Sequence, residues 1–91
     1  MNLSKRAARV VEICKAGGYA RHMLETDPYT RREQFAVRVF DASGNVVKRL
    51  GYKAVFEAVE AGAIVRDWGH LYGSAACRIF KHPDVLAAEA A

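Results

Sequence analysis

The sequence predicts a single α+β domain spanning residues 1–91, in which helices cover one face of a four-stranded antiparallel sheet. Three observations favour this fold class. A chain of 91 residues supports one hydrophobic core, because so short a chain buries too little surface for two. Its hydrophobic fraction of 52% is enough for folding without metals or crosslinks. The spacing of the apolar residues also alternates along the chain between helical and strand patterns.

The chain opens with the pattern of an amphipathic helix. Ser4 or Asn2 can serve as its N-cap, and the pair Gly17-Gly18 is a natural stop. The apolar stripe of this helix recurs at Ala7, Val10, Val11 and Cys14. Residues Tyr19 to Glu25 are expected to form a second helical segment with Tyr19, Met23 and Leu24 facing inward, and Asp27-Pro28 ends it. The predicted beginning is therefore a helix or a helix pair.

From Phe35 to Phe40 the apolar period becomes that of a strand. Residues 41–45 (Asp-Ala-Ser-Gly-Asn) predict a hairpin turn in which Gly44 has a positive φ. The chain is then expected to return as a second strand over residues 46–50. This segment predicts the first β-hairpin.

A helix of about three turns is predicted next, beginning at Tyr52 and ending at a left-handed Gly62. Two strand-like runs, residues 63–68 and 75–81, then predict a second hairpin around a loop with a glycine near each end. A short final helix can begin at Asp84. The expected order is helices, hairpin, helix, hairpin.

The charge distribution is uneven. The chain carries 14 basic and 10 acidic residues, a net charge of +4. Residues 1–50 hold ten basic and five acidic side chains, whereas residues 51–91 hold four and five. No apolar run approaches the roughly 20 residues of a membrane span, and the charged N-terminus is unlike a signal peptide. We therefore expect a cytoplasmic protein with no membrane partner, in which Cys14 and Cys77 stay reduced.

The basic residues of the first half predict the main binding surface. If the first helix lies beside the first hairpin, these side chains form one patch that can bind phosphates or an acidic protein surface. The patch consists of Lys5, Arg6, Arg9, Arg31, Arg32, Lys48 and Arg49. Charges of this kind also occur simply to solvate a surface, and that alternative stays open.

The second hairpin contains the other candidate residues. Asp67 and His70 could suggest a general base, but no nucleophile or oxyanion-binding loop accompanies them, so no catalytic residue and no enzyme is predicted. Trp68, His70 and Tyr72 are instead candidates for a protein interface, with Trp68 as its anchor or as a lid on the core. The histidines and cysteines lack the spacing of a zinc site, so we expect no metal and no cofactor.

Residues 52–80, a helix that leads through Glu60-Ala61-Gly62 into a hairpin, resemble the recognition helix and wing of winged-helix proteins. The resemblance covers about a third of the chain. It implies that Lys53, Glu57, Ala61 and Arg66 would face the DNA major groove. The acidic side chains on this helix oppose that role, since phosphates repel them.

The sequence leaves two possible functions open. The first is a nucleic-acid-binding or regulatory domain that uses the basic patch for phosphate contacts. The second is a protein-binding inhibitor or adaptor, because in size and compactness the chain resembles small α+β proteins of phages and mobile elements, such as anti-CRISPR proteins. A homodimer through the sheet edges also stays open.

Overall fold

The computed structural model describes residues 2–67 and 77–90, and within them the chain forms three helices and one five-stranded antiparallel sheet. The elements are α1 (Lys5–Lys15), β1 (Tyr19–Thr26), β2 (Glu33–Phe40), β3 (Val46–Val47), α2 (Tyr52–Glu60), β4 (Val65–Arg66), β5 (Cys77–Lys81) and α3 (Pro83–Ala90). The strand order in the sheet is β3-β2-β1-β5-β4. The predicted α+β class is confirmed.

The predicted count of four strands is wrong, because residues 19–26 form a strand and not a helix. β1 is the middle strand of the sheet and pairs with β2 on one side and β5 on the other. Its helix-like spacing of apolar residues is a local signal. Hydrogen bonds from two neighbouring strands outweigh it, because tertiary pairing routinely overrides local propensity.

The remaining elements follow the sequence more closely. Ser4 is the N-cap of α1, and its Oγ accepts a hydrogen bond of 3.2 Å from the Ala7 amide. In the first hairpin turn Asp41 Oδ1 accepts hydrogen bonds from two backbone amides, and Gly44 has the expected positive φ of 86°. The return strand is shorter than predicted, since β3 contains only Val46–Val47.

The C-terminal half also keeps its predicted order. Gly62, which follows α2, has a φ of 74°, the left-handed conformation expected for a helix stop. β4 and β5 pair as the second hairpin, although β4 has only two residues. Residues 69–74 of the predicted loop lie outside the described part of the chain. α3 begins at Pro83, one residue before the predicted start.

α1 and α2 pack on one face of the sheet. On that face Ala20, Val39 and Phe80 lie side by side on β1, β2 and β5, and all three are buried. The helices contribute the other large part of the core, which includes Val10, Cys14, Ala54, Val55 and Ala58. The core therefore lies between one sheet face and two helices.

Burial differs sharply between the two ends of the strands. We call the end at Tyr19, Phe40 and Lys81 the closed end, and the end at the β1–β2 turn and residues 33–35 the open end. Along β2 the first three residues are exposed and the last two are buried. α1 joins β1 at the closed end, and α2 leads into β4 at the same end. Both helices therefore begin away from the closed end.

Candidate nucleic-acid interface

The seven predicted cations lie on three segments of the structure. One group is on α1, the second is in the β1–β2 turn, and the third lies between β3 and α2. All seven residues are exposed: Lys5, Arg6, Arg9, Arg31, Arg32, Lys48 and Arg49. Arg31 and Arg32 lie in the turn at the open end, and the three cations of α1 lie in its first half, away from the end that joins β1.

None of the seven side chains forms an ion pair with any described residue. Arg21, Arg38 and Lys81, by contrast, are paired. Arg21 and Arg38 both contact Glu25, while the Lys81 Nζ lies 2.9 Å from a carboxylate oxygen of Glu89 and 3.4 Å from one of Asp67. Burial alone would lower the pKa of Lys81, but the two carboxylates outweigh it and raise that pKa. The predicted binding cations therefore have no ion-pair partner within residues 2–67 and 77–90.

The β1–β2 turn is an ordered structure. Asp27 Oδ1 accepts a hydrogen bond of 2.8 Å from the Tyr29 amide, and the Asp27 carbonyl accepts one of 2.8 Å from the Arg31 amide. Arg31 adopts a left-handed φ of 58°, which is uncommon for a residue with a side chain. The side chain of Tyr29 is 95% exposed. The turn therefore presents an aromatic ring and two arginines, Arg31 and Arg32, to solvent.

A groove of about 470 Å³ lies between the starts of α1 and α2. Arg6 and Lys53 line it from the two helices, together with Tyr52 and the backbone of Gly51. Gly51 is the N-cap of α2 and provides no side-chain cap, so the electropositive end of that helix opens onto the groove. Glu57 also lines the groove, and its carboxylate accepts a hydrogen bond of 2.7 Å from the Ser4 amide.

Four aromatic rings form a continuous chain from the sheet to α2. Ring centroids are 4.8 Å apart for Phe35 and His22, 5.5 Å for His22 and Phe56, and 4.6 Å for Phe56 and Tyr52. The two outer rings are largely exposed, Phe35 by 57% and Tyr52 by 63%. We call these four residues the aromatic chain. In the sequence Phe35 and Tyr52 are only members of apolar patterns, because spacing does not reveal where the core stops.

His22 occupies the interior of the aromatic chain. Its Nδ1 is buried and has no hydrogen-bond partner among the described residues. Burial and, secondarily, the positive charge of Arg78 lower the pKa of His22 below its ordinary value of 6.5. The ring is therefore neutral at physiological pH and acts as a packing surface.

The opposite sheet face is organised by charge pairing. Arg38 donates hydrogen bonds of 2.9 Å from Nε and Nη2 to the two carboxylate oxygens of Glu25. The Arg21 guanidinium lies 4.8 Å from the centre of the Phe40 ring, and Tyr19 stacks on the same ring. The hydrogen bonds from Arg38 lower the pKa of Glu25. Arg21 and Arg38 therefore make their contacts within the sheet.

The second predicted site falls mostly outside the described residues. Trp68, His70 and Tyr72 belong to residues 68–76, so the protein interface stays a prediction. Asp67 is described, and its carboxylate contacts Lys81. Burial raises the pKa of the Cys14 thiol to about 11, which makes it unreactive, and Cys77 is also a free thiol. Within residues 2–67 and 77–90 no group of three or more potential ligands could hold a metal ion.

The resemblance to winged-helix proteins does not extend to the sheet. β5, the second strand of the predicted wing, pairs with β1 next to the middle of the five-stranded sheet. Of the residues expected to face DNA, Ala61 is the C-cap of α2 and Arg66 lies in β4. Glu57 is engaged with the start of α1.

Comparisons with protein-family models, with curated proteins and with solved structures found no match to this chain. Among the described helices, the longest has 11 residues, and none has the length and apolar character required to cross a membrane.

Proposed function

We propose that this protein binds nucleic acid, with its unpaired cations contacting backbone phosphates. One observation carries the proposal. The seven basic residues of the predicted patch are all exposed and have no ion pair among the described residues, whereas Arg21, Arg38 and Lys81 are neutralised by carboxylates of the fold. When exposed cations contact phosphates, the counterions condensed on the nucleic acid are released, and this release drives binding.

Two features strengthen this reading. Arg6 and Lys53 line one groove at the start of α2, where the helix dipole adds to their positive potential. The β1–β2 turn holds Arg31 and Arg32 outward on a hydrogen-bonded backbone. Cations on an ordered scaffold lose less entropy on binding than cations on a mobile tail.

The test is a titration of labelled DNA and RNA with the protein at several salt concentrations. Binding through phosphates makes log K fall linearly with log salt, and removing one contact reduces the slope by about 0.9 on a duplex and by about 0.7 on a single strand. Arg6→Gln and Arg32→Gln should each weaken binding and reduce the slope by about this amount. Absence of binding to every nucleic acid at low salt would rule the proposal out.

Lys15→Gln provides the matched control. Lys15 is also exposed and without an ion pair among the described residues, but it ends α1 at the closed end. Its replacement changes the net charge as much as the other two variants do, so it should leave the salt slope unchanged. An equal loss of slope in all three variants would indicate a general charge effect and would contradict a defined interface.

A further inference from the structure

Resting on the proposed nucleic-acid binding, we infer that the aromatic chain is a stacking platform for unpaired bases, so that the preferred ligand is single-stranded nucleic acid. The rings of Phe35 and Tyr52 are the two exposed ends of this chain. A base without a pairing partner can place its flat face on such a ring, and aromatic platforms beside cationic grooves are how proteins bind single strands.

The platform is built from two rigid elements. Phe35 lies on β2, directly opposite Leu24 of β1, and His22 is the next residue on that face of β1. Tyr52 begins α2, and Phe56, one turn later, contacts both His22 and the buried Phe80. The interior rings thus anchor the exposed rings to the core. This support holds Phe35 and Tyr52 in place before a ligand arrives.

Cations flank both ends of the platform. Lys53 follows Tyr52 and lines the groove together with Arg6. At the sheet, the exposed Arg78 is paired with His22 across β1 and β5, so it lies on the same face as Phe35. A strand whose bases rest on the rings can therefore place phosphates near positive charge at each end.

The same surface is poorly suited to a duplex. Bases in a duplex expose only their edges, which are read by hydrogen-bonding groups, and the ring of Phe35 has none. α2 is the helix next to the platform, but it carries Glu57 and the exposed Glu60, which would approach phosphates in a groove. The exposed rings are therefore better suited to stacking on the faces of unpaired bases than to contacting the edges of paired bases.

The experiment measures affinity for one mixed-sequence DNA strand, for the RNA of the same sequence and for the annealed DNA duplex, at a single salt concentration. We expect either single strand to bind more tightly than the duplex. Phe35→Leu and Tyr52→Leu should each weaken single-strand binding by about fivefold to a hundredfold, the loss of one stacked base. Their salt slopes should equal that of the wild type, because no phosphate contact is removed.

Val46→Thr is the control, since Val46 is an exposed apolar residue (48%) next to Phe40 at the closed end. It should bind like the wild type. A photochemical crosslink from a 5-iodouracil-containing strand should map to Phe35 or Tyr52 and not to Tyr19. Nucleic-acid binding with equal affinity for the duplex, and with unchanged affinity in both aromatic variants, would overturn the platform while leaving the phosphate contacts intact. No binding of any probe at low salt would instead overturn the proposed function itself.

Discussion

The closed end and the open end of the sheet differ in what the same strands bury. At the closed end Val39, Phe40 and Phe80 are buried, and the backbone at Gly18 packs directly against β2. At the open end Phe35 and the turn residue Tyr29 are exposed. One end of the sheet thus contributes to the core, while the other leaves aromatic side chains exposed to solvent.

The arginines also fall into two groups, those with a carboxylate partner and those without one among the described residues. Arg21 and Arg38 are held by Glu25 on the outer sheet face, where one of them also covers an aromatic ring. Arg31 and Arg32 have no ion pair among the described residues. An arginine that already has a carboxylate partner contributes little to a phosphate contact, because the contact must first break that pair. The unpaired arginines are the ones that remain available.

The largest expected loss of stability is at the closed end. A Cβ on Gly18 would clash with the Phe40 carbonyl oxygen and would lie 2.7 Å from Ile13 Cγ2. Gly18→Ala should therefore lower the free energy of unfolding by about 3 kcal/mol, measured by urea denaturation. Gly51→Ser at the start of α2 meets no atom within 4 Å and adds a capping hydroxyl, so it should raise stability by a few tenths of a kcal/mol. Equal losses in both variants would contradict the contrast between the two ends.

A pH dependence is expected from the aromatic chain. The folded-state pKa of His22 lies below its unfolded value of 6.5, so between these two values the unfolded state binds more protons. Stability should therefore begin to fall as the pH drops below about 6.5, and the loss should be complete below the folded pKa. His22→Phe keeps an aromatic ring and removes the buried, unpartnered Nδ1. Thermal unfolding of this variant should show a flatter profile between pH 7 and pH 5, and an unchanged profile would exclude His22 as the source.

Breaking the ion pair between Arg38 and Glu25 should cause a smaller loss of stability. The hydrogen bonds from Arg38 lower the pKa of Glu25 below 4.5, so the pair stabilises the fold above that pH and is lost as the pH falls through the folded pKa. The Arg38 side chain is 46% exposed, so solvent screens the interaction. Glu25→Gln should cost about 0.5–1 kcal/mol at neutral pH in low salt and less in high salt. The variant and the wild type should converge in acid, and a persistent gap there would indicate a packing effect.

In the β1–β2 turn the two arginine substitutions should change stability in opposite directions. Arg31 has a left-handed φ of 58°, so Arg31→Gly relieves strain and should raise stability by about 0.5 kcal/mol, although glycine makes the unfolded chain more flexible. Arg32 has no positive φ, and Arg32→Gly should lower stability by about 0.5–1 kcal/mol. Nucleic-acid affinity should fall in both variants. A gain of affinity on removing Arg31 would show that its side chain does not contribute to binding.

Local patterns in the sequence determined much of the fold. The stripe at Ala7, Val10 and Cys14 predicted α1, and the residues of the first hairpin turn predicted a tight reversal with Gly44 in a left-handed conformation. These features depend on neighbours within a few residues, so they are readable without the rest of the chain. The sequence also identified the seven cations by charge alone.

The remaining features depend on contacts between residues that are distant in the chain. The tertiary structure made residues 19–26 the middle strand, and it determined that Glu25 would neutralise Arg21 and Arg38 but not Arg31 and Arg32. It also left Phe35 outside the core while burying Val39 on the same strand face. The physical reason is shared by all three results. Strand pairing, ion pairing and burial depend on residues distant in the chain, and no local pattern of spacing or charge records which of those residues will meet.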